Sequence, residues 1–178
     1  MTNLIRMTSL AATVAALAVA ATPASAAALS NSASPTQQAT ATARVVKPLT
    51  LTWKQDLDLG TVVLGSGTWT GADVGITKGK VFSCTNTNVV CSGTPTTAEY
   101  TVTGTNNQVV TINAADVTLT NQNDNTKTLK LTVDNPGTVN LGSSGVSGTV
   151  FDLGGKITVA SDTTDGTYSG TFAVTVNY

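Results

Sequence analysis

The sequence predicts an all-β protein, an antiparallel sandwich or Greek-key barrel, and three observations lead there. Short runs alternate apolar and polar residues with a period of two, as half-buried strands do. Clusters of Gly, Asn, Asp and Pro interrupt these runs at regular intervals. No helical period follows the first two dozen residues, and a chain of many short strands has to bury its apolar faces sheet against sheet.

The only segment with a helical look is the first. A basic start ends at Arg6, an apolar run extends from Met7 to Ala21, and Pro23 precedes Ala24-Ser25-Ala26. This is the pattern of a secretory signal peptide over 1–26, cleaved after Ala26, with Ala27 or Ala28 as alternative ends. The run is too short and too rich in Ala for a membrane span, and no later stretch reaches the roughly 20 apolar residues a span needs. Residues 27–38 have almost nothing to bury and read as a disordered tail. The remaining 39–178 is expected to form one sandwich domain, exported to the periplasm, the outer surface or the medium. About 150 residues suffice for one ordinary core.

Within that domain, Ala39, Ala41, Ala43 and Val45 alternate with Thr and Arg44 as a strand of slim side chains able to slide into a groove, and Pro48 then interrupts. Leu49, Leu51 and Trp53 share the inward side of the next run. Leu57, Leu59 and Val63 are read as facing in along Leu57 to Val63, with Asp58 facing out. Further strands are expected over Ala72 to Thr77, Lys80 to Cys84, Ala98 to Thr103, Gln108 to Ile112, Asp116 to Thr120 and Thr128 to Val133. The clearest hairpin is expected at the end, with Phe151, Leu153, Ile157 and Val159 on one arm. The Ser161–Thr167 turn leads to a returning arm from Tyr168 to Tyr178, where Phe172, Val174, Val176 and Tyr178 share a face. Gly154 and Gly155 inside the first arm mark a bulge or a bend where the strand changes sheet.

The chemistry is mostly defined by what is absent. There is no histidine, which rules out Ser-His-Asp, Cys-His and histidine-metal arrangements. Charge is sparse and slightly negative, with Arg44 the only arginine after the signal peptide and Glu99 the only glutamate, so nothing clusters to neutralise nucleic-acid phosphates. Asp56 and Asp58 are read as solvated strand charges rather than a hydrolytic pair. Lys54, Lys78, Lys80, Lys127, Lys130 and Lys156 are read as surface lysines, and the loops Asn121–Asn125 and Asp162–Asp165 as turns rather than calcium sites. No catalytic residue, cofactor or metal is expected, and the chain is not expected to be an enzyme.

Two cysteines, Cys84 and Cys91, are expected to be bonded in an oxidising compartment. Of the two tryptophans, Trp53 continues the inward phase of Leu51 and is expected in the core. Trp69, in the Gly-rich loop Gly65–Gly71, is the candidate contact for a ligand or partner, with loop packing as the alternative.

Several groups of residues in order resemble one family. They are Ala41–Leu51, Asp56-Leu-Asp-Leu-Gly60, the loop from Cys84 to Cys91 followed by Ser92-Gly93, Val102–Asn107, and Asp165-Gly-Thr-Tyr-Ser-Gly-Thr-Phe172. Together they resemble the bacterial secreted family catalogued as domain of unknown function 4402, which implies an exported β-sandwich without an assigned activity. A more distant resemblance is to spore-coat U domains and archaic chaperone-usher pilus subunits, which also end in Gly-x-Tyr followed by alternating apolar residues. That resemblance implies an immunoglobulin-like, pilin-like sandwich lacking one strand, completed by a periplasmic chaperone and usher system and then by another copy of the chain. Ala39 to Val46 would be the donor, and the strand through Phe172, Val174, Val176 and Tyr178 would flank the acceptor. The competing reading is a self-contained secreted module binding surface polysaccharide or another protein.

Overall fold

A computed structural model of the chain describes residues 37–143 and 147–178. The signal peptide, its cleavage site at Ala26 or Ala27, and residues 27–36 of the tail lie outside the described residues. Among those described, every regular element is a strand. They are β1 (Thr50–Gln55), β2 (Thr61–Leu64), β3 (Ala72–Ile76), β4 (Phe82–Ser83), β5 (Val89–Ser92), β6 (Ala98–Thr103) and β7 (Val109–Ala114). Then come β8 (Val117–Asn121), β9 (Thr128–Asp134), β10 (Thr138–Asn140), β11 (Thr149–Val159), β12 (Tyr168–Ser169) and β13 (Val174–Asn177).

All pairings are antiparallel. The long β11 organises them. Its first half, Thr149–Leu153, pairs with β6, whose other side carries β1. Its second half pairs with β3 on one side and β9 on the other, and β8 and β12 continue outward from β9. A separate sheet runs β10-β7-β13, and β2 and β5 form a two-stranded ribbon.

The exchange of partners happens at Gly154 and Gly155, where the sequence predicts a bend, and both glycines are buried. A Cβ on Gly154 would collide with the backbone of Ile76 to Lys78, and one on Gly155 would meet Leu57 and Leu131 side chains at 2.7 and 2.9 Å. Only residues without side chains let the backbones approach this closely.

Each half of β11 serves its own core. Phe151 and Leu153 join Ala98, Val102, Val110, Ile112 and Leu141 between the β1-β6-β11 strands and the β10-β7-β13 sheet. Ile157 and Val159 join Ala72, Val74, Val89 and Leu131, with the β2-β5 ribbon supplying Val62, Leu64 and Cys91. Phe172 and Val133 pack against both cores.

Three expectations need correction. The final hairpin does not form: β12 pairs with β8 and β13 with β7, while β11 is flanked by β6, β3 and β9. The returning arm breaks between Ser169 and Val174, and Phe172 spans the two cores there. Along Leu57 to Val63 the phase slips: Val62 and Leu64 pack inward, whereas Val63 is exposed. Gly60 causes it, with φ at +74° and its N–H donated to Asp58 Oδ1 at 2.8 Å. Finally, Ala39 to Val45 is no strand; it is exposed and irregular.

Candidate functional site

The residues expected to meet a partner are the final strand through Phe172, Val174, Val176 and Tyr178, the slim segment of Ala39, Ala41, Ala43 and Val45, and Trp69. β13 is held by β7 through the register Val174↔Ala114 to Asn177↔Thr111. No described strand pairs with its other side. Its core-facing residues Val174 and Val176, and Phe172 before them, pack on the first core but remain only half-buried. The sandwich is therefore incompletely covered along this edge, and unpaired backbone groups beside apolar side chains make an acceptor for an added strand.

Tyr178 closes one end of the edge. It lies outside the core, 45 % exposed. Its hydroxyl donates to the Lys47 carbonyl at 2.5 Å and accepts from the Thr105 N–H at 2.8 Å, tying the approach to β1, the end of β6 and the end of β13 together. Gly104 makes room for it: a Cβ there would meet the hydroxyl at 2.8 Å and Leu49 and Leu141 at 2.7 and 2.9 Å. Of the slim segment, Ala43 and Val45 lead toward this latch, and Val45 is 89 % exposed. Ala39 and Ala41 are exposed as well.

Trp53 departs from its expected place in the core, whereas Trp69 takes the loop packing given as its alternative. Trp69 is packed: its indole N–H reaches the Gly65 carbonyl at 3.2 Å, its backbone N–H reaches Ser161 Oγ at 3.2 Å, and its ring lies against the second core. The tight loop from Gly65 folds back over its own aromatic, and loop packing describes Trp69 better than partner contact. Trp53 is the exposed one, at 56 %. It pairs with Tyr100 on the face that carries Leu51, at the edge strand β1.

Cys84 and Cys91 stand at disulfide distance with Cα atoms 6.3 Å apart, and both pack on the second core. The bond links the end of β4 to β5 and so anchors the β2-β5 ribbon to β3.

Four lysines are spent on carboxylates. Lys156 meets Asp73 at 2.8 Å, Lys78 meets Asp134 at 2.9 Å, Lys130 meets Asp116 at 2.9 Å, and Lys80 bridges Asp152 at 3.2 Å and Glu99 at 3.3 Å. The Lys156 ammonium, and after it the Thr158 hydroxyl, hold the Asp73 carboxyl below the usual carboxylate range. Lys130, with the Val133 N–H, does the same for Asp116. An open recess of 360 Å³ floored by Gly75 lies between the Lys156–Asp73 and Lys78–Asp134 pairs. Every charged group around it already has its partner. The buried Asn121 fixes the two Asp/Asn-rich loops: its Oδ1 accepts from the Asn123 and Asp124 N–H groups, and its amide donates to the Asp165 carbonyl at 2.9 Å.

Compared with known proteins, residues 49–178 match the family model described as a domain of unknown function, DUF4402. The chain belongs to the DUF4402 family. The matched region opens at Leu49, beside the Tyr178 latch, and runs through β13, so the edge and both tryptophans lie inside the DUF4402 domain. No curated protein and no solved structure matches the chain.

Proposed function

We propose that this DUF4402 protein is an exported, non-enzymatic structural subunit of a cell surface or a pilus-like fibre, and that copies join by strand addition. The observation that carries the proposal is the edge of β13, bonded to β7 on one side only and presenting Phe172, Val174 and Val176 half-buried beside it. An extended segment laid there would satisfy the backbone groups of β13 and cover those side chains at once. Ala39 to Val45 is the segment offered: exposed, irregular, and bearing small side chains on alternate positions, so a second copy could seat it in a narrow groove. A periplasmic chaperone and usher would occupy the same edge before assembly.

The test is the size of the exported chain, residues 27–178, measured by light scattering across a range of concentrations. Association that grows with concentration, and is lost in Ala41→Asp without a change in melting temperature, supports strand addition. A monomer at every concentration contradicts it.

A further inference from the structure

We propose that the exposed face of Trp53, with Asp56 and Tyr100 at its rim, is a stacking site for a single neutral pyranose ring of a glycan. The proposal is independent of strand addition at β13. A tryptophan left more than half in water on a rigid sheet is unusual, since this side chain is among the most buried on average. Here the ring is also held in place. The indole N–H donates to Asp56 Oδ1 at 3.0 Å, and a register shift between Trp53 and Gln55 turns the strand so that Asp56 comes back under the ring edge. The loop carrying Asp56 is fixed in turn, because Thr96 donates its hydroxyl to the Asp56 carbonyl at 3.1 Å and Thr96 bridges to Asp58. A ring oriented before binding loses little freedom on binding.

The rim has groups to spare. The second carboxylate oxygen of Asp56 takes no hydrogen bond from any described residue, and neither does the hydroxyl of Tyr100. Tyr100 is half-buried and stacked on Phe151, with ring centroids 5.7 Å apart, so its phenol cannot swing away. Burial, and then the Asp56 charge, raise its pKa, and the hydroxyl is a donor at neutral pH in any case. A flat apolar face beside one fixed acceptor and one fixed donor matches a ligand with a C–H face and a rim of hydroxyls, which is a pyranose. A peptide strand would use the backbone edge of β1 instead and leave this rim unpaired.

Only two tryptophans are present, and Trp69 is packed, so Trp69→Phe leaves Trp53 as the sole reporter. Its emission is to be titrated with cellohexaose, laminarihexaose and N-acetylchitohexaose at millimolar concentrations, with calorimetry on the unaltered protein alongside. A saturable change with at least one of them, weakened about tenfold by Asp56→Asn and abolished by Trp53→Ala with no loss of folding, supports the site. No saturable response to any of the three overturns it. Calorimetric binding that survives Trp53→Ala overturns it as well. So does an emission change that follows protein concentration alone, since the ring is then covered by a second copy.

Discussion

The two ends of β11 belong to differently finished halves of the molecule. Around Ile157 the core is roofed by the β2-β5 ribbon, tied by Cys84 and Cys91, and overlain by Trp69. Around Phe151 the core is equally dry at its centre, but its borders are open: β13 lacks a neighbour among the described residues, Val176 is half-buried and Trp53 stands in water. The same strand, with the same alternation, thus supports a closed half and an open one. The difference lies in what the rest of the described chain lays across each, and the open half is the one the proposed contacts use.

The largest effect expected from this contrast is on truncation of core side chains. Leu131→Ala, in the closed half, should cost about 3 kcal/mol, whereas Val176→Ala should cost about 1 kcal/mol because it leaves a surface dent rather than a cavity. Urea titration of both variants checks this, and equal losses would dissolve the distinction. Next come the tryptophans. Trp69→Ala should lower stability by about 2 kcal/mol, while Trp53→Ala should stay within about 0.5 kcal/mol, both read from thermal melts. Reducing the Cys84–Cys91 pair should cost about 2 kcal/mol and loosen the ribbon. Amide exchange should therefore speed up in β2 and β5 and leave β7 unchanged.

The smallest effect concerns pH. Asp73 and Asp116 have pKa values lowered by Lys156 and Lys130, so their stabilisation is complete above the unfolded value of about 3.9 and is lost as pH falls through the lower folded value. Lys80, raised by Asp152 and then Glu99, contributes below about pH 10.4 and loses that contribution as pH rises through its folded value. These pairs are exposed and each contributes little. With no histidine, a melting temperature that is flat between pH 5 and 8 is expected, and a marked slope there would contradict it.

Much of this was legible in the residues, because alternation reports a local property. The strand at Ala98–Thr103 falls where the pattern sets it, and Gly154-Gly155 marks the place where β11 exchanges partners, because two glycines in a strand signal close backbone approach. What alternation cannot report is what lies opposite. It sets Trp53 in phase with Leu51 and so in the core, yet β1 is an edge strand and the side chain is 56 % exposed. It could not tell that the final arm would pair with β8 and β7 rather than with β11, since pairing partners are set by the whole packing and not by nearness in sequence. β5 has no separate signal because Val89–Ser92 merges with the cysteine loop, and the three residues of β10 carry too little pattern.

Strand addition at β13 is read by backbone amide exchange over Val174–Asn177. In the exported chain, protection of these amides should rise with protein concentration while β7 stays constant, and Ala41→Asp should remove the rise. Protection that is already complete in dilute monomer, or that never changes with concentration, would contradict the account.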